Sequence, residues 1–555
     1  MRTGIAHICV AVVVLLLSSC SGPLGADVRV ECPILPVLVH KEASPVIKVT
    51  AVSRDTVPLS IGRVVLDLGG CTNFGDILLV GAYGFDKKGN PDPSKKLCRE
   101  VEVTSPVVCL EGFNAVAAKD SVSFWVAVTL RDTVDLDHRI LVRCRNVDFF
   151  SNSRFCGKGR LTVQSGGYTP LRVGVAVRQK GQDRVVSSRI PGLATACDGT
   201  LLAVFDARRD RARDLQGDID IALHRSMDKG MSWQPLQTVL DLGEGGGLPQ
   251  KYNGVSDACI LVDRNTGDIF VAGLWMHGVL DSDGRWVEGL SEDSNEWMHQ
   301  WNGKGSQPGL GVKQTSQFLI ARSNDGGLSW SAPENITASV KKEEWWLYAP
   351  APGQGITMDD GTLVFPSQGR DSDGVPFSCI TWSRDHGTTW HVSSPAYSDV
   401  TECSVAELPD HSLMLNMRDN RNKGCAYPNG RRICTTSSLG ETWTEHPSSH
   451  KALVEPTCMA SLHRHEYTTD GCSRSILLFS NPDNWKSRDR ITLKASLDGG
   501  MTWPDEYRIL IDEYRSAGYS CITSVDENTI GILYESSQSD LAFVMIGLDE
   551  ILKTR

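Results

Sequence analysis

The amino-acid sequence predicts an all-β protein, a six-bladed β-propeller that follows a small β-sandwich domain. The first observation is a repeated motif, Ser-x-Asp-x-Gly-x-x-Trp, whose copies end at Trp233, Trp330, Trp390, Trp443 and Trp503. The second is the spacing of these copies, 97, 60, 53 and 60 residues. Repeats of about 50 residues or more that contain short strands are typical of propellers. The third is length, because residues 180–555 hold about six repeats of about 60 residues.

Each copy of the motif predicts a tight turn between two strands. In the copy Ser323–Trp330, Asp325 is expected to accept backbone N–H bonds across the turn, and Gly327 to supply a positive φ. The Trp then plugs the turn into a core. The copy that ends at Trp443 is degenerate, since Thr436 and Ser438 replace the Ser and the Asp. The motif is therefore a structural device.

Length and charge limit the functions that the chain can have. Its 555 residues are too many for one ordinary core, which favours two domains plus a leader. The formal net charge is −11, and no basic stripe able to follow phosphates is present, which argues against a nucleic-acid partner. An anionic substrate would have to be bound by a local cluster of Arg.

The first residues predict export. Arg2 precedes an apolar run from Ile8 to Leu17, which is about half the roughly 20 residues that a membrane span needs, so residues 1–19 are interpreted as a signal peptide. The segment Leu17-Ser18-Ser19-Cys20 resembles the lipobox of bacterial lipoproteins, in which acylation of Cys20 would anchor the protein to the bacterial outer membrane. The alternative is an ordinary signal peptide cleaved a few residues later.

Residues 26–165 contain no copy of the repeat and predict the β-sandwich. Strand-like runs with period-two alternation occur at Arg63–Leu68, Ser121–Leu130 and Arg139–Arg143. A short linker at Ser165-Gly166-Gly167 then leads into the propeller, residues 170–555, where Leu171–Val177 is expected to begin the strands that close the ring.

The 17 Cys residues are numerous for a chain of this length, and export would permit disulfides. A two-residue turn at Asn429-Gly430 would place Cys425 opposite Cys434, within the distance range of a disulfide. The alternative is two buried free thiols. A second group, Cys458, His463, His465 and Cys472, matches no standard zinc spacing and is interpreted as a hairpin.

The long first interval between motif copies holds an insertion, His277 to Gln314. It is rich in Gly, Ser and Trp, including Trp286, Trp297 and Trp301, and it falls where a rim loop belongs. Such a loop could overhang a site, or its Trp residues could pack it onto the body of the domain.

The segment Arg189-Ile190-Pro191, followed by the repeated Asp motif, resembles the bacterial exo-sialidases of glycoside hydrolase family 33 over about residues 170–545. In that family, three Arg bind the carboxylate of sialic acid, a Tyr is the nucleophile, a Glu is the base partner of that Tyr, and an Asp is the acid/base. The residues that match these roles are Arg189, Arg418 and Arg488 for the carboxylate, Tyr519 for the nucleophile, Glu402 for the base partner and Asp214 for the acid/base. Arg208 resembles a further site Arg, and Asp257 resembles the residue that contacts the N-acetyl side of the sugar.

Three of these matches have a competitor nearby in the sequence. The three Arg that match the carboxylate-binding role are called the Arg clamp below, and Arg490 is the alternative to Arg488 as its third member. Glu407 is the alternative to Glu402, and Asp210 is the alternative to Asp214.

The chemistry of sialic acid explains these residue types. Planar guanidinium groups offer paired N–H donors to a carboxylate and stay charged at any working pH. A neutral Tyr avoids the repulsion that a carboxylate nucleophile would meet at a carbon that already bears a carboxylate, and sialidases are an established exception to the two-carboxylate rule of glycosidases. The unperturbed pKa of Tyr is near 10, so the hydroxyl needs a neighbouring base.

The resemblance implies a retaining exo-α-sialidase that removes terminal sialic acids from glycoproteins, glycolipids and oligosaccharides through a tyrosyl-sialyl intermediate. No metal or organic cofactor is expected. The domain of residues 26–165 would then be a carbohydrate-binding module or a plain structural spacer. The alternatives are a trans-sialidase, which would use the same residues, and a non-catalytic sialoglycan lectin, which would not need a Tyr and a Glu beside the three Arg.

Overall fold

The computed structural model describes residues 26–53, 59–113, 116–117, 121–151, 153–215, 217–245, 250–278, 287, 299 and 305–553. The predicted leader with Cys20 lies outside these residues, as does most of the His277–Gln314 insertion with Trp286, Trp297 and Trp301. The described chain is all-β, as predicted.

The first part of the chain is a series of strands joined by turns. They are β1 (Ala26–Glu31), β2 (Val37–Val39), β3 (Ser44–Ser53), β4 (Leu59–Asp67), β5 (Ile77–Phe85), β6 (Pro91–Lys96), β7 (Val101–Glu102), β8 (Val107–Glu111), β9 (Val116–Ala117), β10 (Ser121–Leu130), β11 (Arg139–Ile140), β12 (Arg143–Ser151), β13 (Arg154–Lys158) and β14 (Arg160–Val163). The predicted strand Ser121–Leu130 matches β10, and Arg63–Leu68 overlaps β4. The predicted strand Arg139–Arg143 is divided between β11 and β12.

These strands form two sheets that share one apolar cluster. One sheet has the order β14-β1-β3-β10-β5-β6, and the other has the order β13-β12-β4-β8. Alternate residues of both sheets, such as Val49 and Phe124 in the first and Leu66 and Phe149 in the second, are buried in the same cluster. The alternation follows from the two-residue period of a strand, which puts every second side chain on the apolar face.

The rest of the chain continues as strands with two short helices. The strands are β15 (Leu171–Arg178), β16 (Ser187–Thr195), β17 (Leu201–Arg208), β18 (Ile219–Ser226), β19 (Gln237–Leu240), β20 (Asn253–Val262), β21 (Ile269–His277), β22 (Gln317–Ser323), β23 (Glu334–Asn335), β24 (Leu347–Pro350), β25 (Gly353–Gln354), β26 (Ile356–Thr357), β27 (Leu363–Arg370), β28 (Pro376–Ser383), β29 (His391–Val392), β30 (Tyr397–Ser398), β31 (Val400–Glu407), β32 (Leu413–Asp419), β33 (Arg432–Thr436), β34 (Thr444–Glu445), β35 (Ser461–Thr469), β36 (Cys472–Pro482), β37 (Ile491–Ser496), β38 (Arg508–Asp512), β39 (Ser520–Asp526), β40 (Thr529–Tyr534) and β41 (Leu541–Gly547). The helices are α1 (Thr337–Val340) and α2 (Leu548–Leu552). Among the described residues, neither helix nor any other is long and apolar enough to cross a membrane.

Most neighbouring strands in this part pair antiparallel with the next strand in the chain. The strands β31–β34 form one four-stranded sheet and β35–β38 form another. The strand β15 pairs antiparallel with β41, which continues to β40 and β39, so the start and the end of this part share a sheet. This pairing agrees with the prediction for Leu171–Val177. The same sheet includes β2 and β11 from the first part of the chain, which tie the two parts together.

The repeated Asp motif forms the predicted turn. In the copy that starts at Ser226, Asp228 accepts the backbone N–H of Ser232 at 2.9 Å, and the Ser226 hydroxyl accepts the N–H of Gly230 at 2.8 Å. Gly230 has a φ of 92°. In the degenerate copy, Thr436 replaces the Ser and accepts the N–H of Gly440 at 3.0 Å, which keeps the turn.

The turn also locks one sheet to its neighbour. The ring of Trp233 lies 5.4 Å from the ring of Phe543 in β41, and that of Trp390 lies 5.9 Å from the ring of Phe270 in β21. The motif therefore stabilises the packing between sheets as well as its own hairpin.

We expect Gly230→Ala to destabilise the fold by about 2–4 kcal/mol, since it combines an unfavourable positive φ with overpacking. A Cβ at this position would lie 2.1 Å from the Phe543 ring. Gly326→Ala is the matched control, because Gly326 has a φ of 74° but its Cβ would meet nothing closer than 3.8 Å. The control should lose only about 1 kcal/mol. Thermal and denaturant unfolding of both variants measure the difference, and equal losses would show that the contact with Phe543 does not matter.

The predicted pairing of Cys425 with Cys434 is wrong. Cys434 lies in β33, which pairs with β32 and places Cys434 opposite Leu415. The segment from Asn429 to Gly430 is not the turn of a hairpin, and both thiols are free, with Cys434 buried and Cys425 partly exposed. His463, His465 and Cys472 of the second group lie in the predicted hairpin, in which Thr469 of β35 is opposite Cys472 of β36, whereas Cys458 precedes the hairpin.

Candidate active site

The hydroxyl of Tyr519 and the carboxylate of Glu402 form the centre of the candidate site. Tyr519 directly precedes β39, and Glu402 lies in β31. The Tyr519 hydroxyl donates a short hydrogen bond to Oε1 of Glu402. The guanidinium of Arg418 donates to Oε2 of Glu402 at 2.6 Å and to the Tyr519 hydroxyl at 3.2 Å. Both Tyr519 and Glu402 are buried.

The surroundings move the two pKa values in opposite directions. Burial and the Glu402 charge raise the pKa of Tyr519 well above its ordinary value. Burial alone would raise the pKa of Glu402, but the Arg418 guanidinium and the Tyr519 hydroxyl outweigh it and hold that pKa below its ordinary value. The pair therefore rests as a neutral phenol beside a carboxylate, which is the protonation state in which Glu402 can accept the phenol proton.

The three Arg predicted to bind a carboxylate all lie around Tyr519. The guanidinium carbon of Arg189 is 5.8 Å from the centre of the Tyr519 ring, and that of Arg488 is 5.6 Å from it. Arg488 is held by two backbone carbonyls, those of Ala517 and Thr457, each at 3.0 Å. Residues from distant parts of the sequence thus converge on one point.

The sequence reasoning missed Glu535, which follows β40. Its carboxylate accepts a hydrogen bond from Nε of Arg189, from the backbone N–H of Ile190 at 3.1 Å and from the backbone N–H of Tyr519 at 2.9 Å. The side chain of Glu535 is almost fully buried. One carboxylate therefore fixes both Arg189 and the backbone of Tyr519, and its sequence signal is an acid directly after an apolar strand.

The charges of this group leave one positive charge in excess. Glu535 pairs with Arg189, and Glu402 pairs with Arg418. Arg488, by contrast, has only the two neutral carbonyls as hydrogen-bond partners among the described residues. A local positive charge in a protein of net charge −11 favours an anionic ligand at this point.

We expect Glu535→Gln to lower kcat/KM by about 30-fold, mainly through KM, on the sialoside substrate that the family resemblance implies. The amide keeps the size of the carboxylate but presents N–H groups to a backbone N–H, and it loses the charge that holds Arg189; losses of this kind are about 2 kcal/mol. Steady-state kinetics give the split between kcat and KM.

The matched control for that variant is Glu550→Gln. Glu550 also pairs with two Arg, at 2.9 Å from Arg139 and closely with Arg172, but outside the candidate site. The positioning role of Glu535 would be contradicted if Glu550→Gln lowered kcat/KM as much as Glu535→Gln does. It would also be contradicted if Glu535→Gln lowered only the stability of the protein.

Irregular strands aim several of these side chains. The pairing of β16 with β17 shifts register between Arg189 and Gly192, and Ile190 has a φ of 60°, which is unfavourable for a β-branched residue. The pairing of β31 with β32 shifts between Val400 and Cys403, next to Glu402. Such bulges rotate a side chain out of the regular alternation and are frequent beside functional sites. The strain at Ile190 is held in place by the bond from its N–H to Glu535.

A second group contains Arg208 and Asp214. Arg208, at the end of β17, donates to Asp214 at 2.6 Å and to the buried Asp206 at 3.2 Å. Burial raises the pKa of Asp206 to about 6, although Arg208 and the Ser256 hydroxyl, which donates at 2.5 Å, oppose that rise. The side chain of Asp214 is 69% exposed to solvent, whereas that of Arg208 is almost fully buried.

Asp257 lies on a bulge in β20, with a φ of 63°. Its carboxylate accepts a hydrogen bond from the side-chain amide of Gln368 at 3.1 Å. Burial, together with the charges of Asp214 and Asp206, raises the pKa of Asp257 well above its ordinary value. Asp257 lines a cavity of about 230 Å³ with Leu274 among other residues. Arg189 lies opposite Asp206 in the pairing of β16 with β17, so the group around Arg208 adjoins the group around Tyr519.

A buried ion pair lies behind the Arg clamp. Arg431 and Glu455 are fully buried and 2.7 Å apart. Arg431 also donates to the carbonyl of Cys458 at 2.6 Å, and Glu455 accepts the N–H of Asp419 at 2.7 Å. Asp419 follows Arg418, and Cys458 follows Thr457, whose carbonyl holds Arg488. The pair therefore joins the segment that carries Arg418 to the segment that positions Arg488.

Contacts distinguish the competing residues from the predicted ones. Glu407 accepts the backbone N–H of Asp359 at 2.8 Å and contacts His411, away from Tyr519. Arg490 is exposed, whereas Arg488 stacks over Tyr519. Asp210 and Asp214 are both exposed in the same loop, and Arg208 donates its hydrogen bond to Asp214.

Comparison with known proteins places the chain in a family. Residues 190–516 match the BNR repeat-like domain family. The chain is 36% identical over 544 residues to a sialidase from Bacteroides fragilis, with 94% of each chain covered. The chain belongs to the sialidase family. It is thus a glycosidase.

Two further similarities support the assignment to the bacterial sialidases. The fold superimposes on the Hadza microbial sialidase Hz136 with a TM-score of 0.82 and 34% identity, covering 94% of this chain and 100% of that one. A sialidase from Micromonospora viridifaciens is 28% identical over 386 residues, which are 67% of this chain and 53% of that protein. An intramolecular trans-sialidase from Ruminococcus gnavus has a similar fold, with a TM-score of 0.53 at 18% identity over 68% of this chain and 98% of that one.

Proposed function

We propose that this sialidase is a retaining exo-α-sialidase that removes terminal sialic acids from glycans through a tyrosyl-sialyl intermediate. The observation that carries the proposal is the hydrogen bond from the buried Tyr519 hydroxyl to Glu402, beside the guanidinium groups of Arg189, Arg418 and Arg488.

The clamp Arg residues recognise the carboxylate of sialic acid. Guanidinium groups bind a carboxylate through paired, charge-assisted hydrogen bonds, and the excess positive charge of the group selects against neutral sugars. The carboxylate is attached to the anomeric carbon, so binding it beside Tyr519 also brings that carbon to the phenol oxygen. Asp257 faces the N-acetyl side of the sugar.

In the first step, the Tyr519 oxygen attacks the anomeric carbon while Glu402 takes the phenol proton. The bond to the leaving glycoside oxygen breaks, and Asp214 gives that oxygen a proton. Arg208, which contacts Asp214 at 2.6 Å, orients the acid. The product of the step is a sialyl group on Tyr519 and a free aglycone.

In the second step, Asp214 takes a proton from water, and the water oxygen attacks the anomeric carbon. The bond to Tyr519 breaks, and Glu402 returns the proton to the phenol oxygen. Two displacements at the same carbon restore the α configuration.

The test is hydrolysis of 4-methylumbelliferyl α-sialoside by the purified protein, with the products followed by NMR. We expect the α anomer of free sialic acid to form first and to mutarotate later. Initial release of the β anomer would overturn the retaining mechanism. An anhydro-sugar or a sialylated acceptor as the main product would make the protein a trans-sialidase, and binding without release would make it a lectin.

We also propose a six-bladed propeller, an N-terminal β-sandwich and an outer-membrane location for this protein. Contacts of β16 with β20 and β39, and of β35 with β31 and β39, support a six-bladed ring for residues 170–555. The shared core of the two N-terminal sheets supports a β-sandwich at residues 26–165. The lipobox-like segment at Cys20 supports a lipid anchor on the outer membrane.

A further inference from the structure

A second cleft, of about 1530 Å³, begins at Arg189 and Glu535 and extends towards the N-terminal part of the chain. One wall is the turn between β5 and β6, Phe85 to Asn90. The opposite wall is formed by Tyr514 to Ala517 and by Glu535 to Asp540. The cleft therefore starts where the candidate active site ends and is shared by both parts of the chain.

Contacts between the two parts hold these walls in place. The indole N–H of Trp125 donates to the carbonyl of Gly89 at 2.8 Å, and the Trp125 ring lies 6.2 Å from the ring of Tyr514. The side-chain amide of Asn90 donates to the carbonyl of Ser537 at 3.4 Å. The turn is thus fixed against the C-terminal part, so that the cleft has a defined width.

The cleft carries an excess of positive charge, since its lining has more cations than acids. Its exposed cations without an ion pair among the described residues are Lys87, Lys88, Lys180 and Arg515. They come from both walls, in a protein whose net charge is −11.

The acids of the cleft are already engaged by internal bonds. Asp86 accepts the backbone N–H of Lys88 and of Asn90, each at 2.8 Å. Asp540 accepts the N–H of Ser188 at 2.8 Å, and Glu535 is engaged by Arg189 and two backbone N–H groups. The backbone N–H donors are neutral and leave the charges of Asp86 and Asp540 in place, and Lys88 and Lys180 act on Asp540. Six cations nevertheless line the cleft against three acids, so that a net positive charge remains for an anionic ligand.

Polar atoms without partners lie in the same wall. The hydroxyls of Ser516 and Ser539 and the side-chain carbonyl of Gln538 have no hydrogen-bond partner among the described residues. The three residues are half-buried and line the cleft, although these polar atoms themselves are buried.

We propose that this cleft binds a second anionic group of the substrate, on the part of the glycan beyond the sialic acid that is cleaved. The group is the carboxylate of a further sialic acid or a sulfate ester. This inference rests on the proposed sialidase activity, because it extends the same substrate from Arg189 into the cleft.

The test compares kcat/KM for 3′-sialyllactose, which has a neutral extension, with α2,8-disialyllactose and with 3′-sialyl-6-sulfo-lactosamine. The variant is Lys88→Ala combined with Lys180→Ala, one substitution from each part of the chain. We expect kcat/KM on an anionic substrate, divided by that on 3′-sialyllactose, to fall about fivefold, mainly through KM, as removal of two exposed ion pairs predicts. In the wild type, the same ratio should fall as salt rises.

The matched control is Lys158→Ala combined with Lys451→Ala, two exposed Lys away from the cleft, which remove the same net charge. This control should keep the wild-type ratio. A fall for only one of the two anionic substrates assigns the cleft to that group. An unchanged ratio in the cleft variant, or an equal fall in the control, overturns the proposal. Failure of the wild type to hydrolyse any of the substrates would instead overturn the proposed function.

Discussion

Tyr519→Phe is expected to lower kcat on 4-methylumbelliferyl α-sialoside by at least about a thousandfold, since loss of a nucleophile removes the covalent route. The substitution deletes one oxygen atom and keeps the ring between Arg189 and Arg488. The substrate should still bind, because the clamp Arg residues are intact. Steady-state kinetics give kcat, and equilibrium binding of a sialoside to the variant gives the affinity.

The chain offers a close control in Tyr83→Phe. Tyr83 is also fully buried, and its hydroxyl donates to the carboxylate of Glu100 at 2.5 Å, but this pair lies in the N-terminal sheet. Loss of the hydroxyl there should cost stability and leave kcat unchanged. If Tyr519→Phe retained more than about a tenth of wild-type kcat, Tyr519 would not be the nucleophile.

Glu402→Gln is expected to lower kcat by about 10²- to 10³-fold, the range typical for loss of a general base. The Gln amide has the same shape as the carboxylate and can still contact Arg418, but it cannot accept the phenol proton. Because the pKa of Glu402 is held below its ordinary value, the wild type keeps the carboxylate ionised down to the usual Glu value of about 4.3 and below it. Rates of the two proteins across the pH range measure the loss.

Glu407→Gln serves as the control for that variant, since Glu407 is buried and is the competing acid in the sequence. Its contacts are with Asp359, His411 and Arg464 rather than with Tyr519. The control should therefore keep wild-type kcat. Equal losses of kcat in the two variants would show that Glu402 is not the specific base, or that both substitutions act by impairing folding.

Contacts within a few residues of one another were predictable from the sequence. The Asp motif specifies its own turn, because Asp228, Gly230 and Ser232 lie within one loop and their bonds follow from residue type. A turn predicted from local sequence was wrong where the pairing of strands decided which residues lie side by side. The turn at Asn429-Gly430 predicted a hairpin, but pairing of β33 with β32 gave Cys434 a different neighbour.

The candidate site could be predicted only where a family pattern named its residues. The sequence around Glu402 gives no indication that it contacts Tyr519, because the two residues are 117 positions apart in the chain. Glu535 had no such pattern, although it bonds to Arg189 and to Tyr519. The register shifts at Arg189 and beside Glu402 were also missed, because a bulge depends on how two strands pair rather than on one strand.

The sequence by itself determined the all-β class, the repeated turns and the residue types of the site, because each of these depends on residues near one another or on a family pattern. The tertiary structure decided that Arg488 rather than Arg490 stacks over Tyr519, and that Glu402 rather than Glu407 accepts its hydroxyl. It also decided that a basic cleft continues from Arg189 between the two parts of the chain. These are distances between strands far apart in the sequence, and such distances are fixed only when the sheets pack.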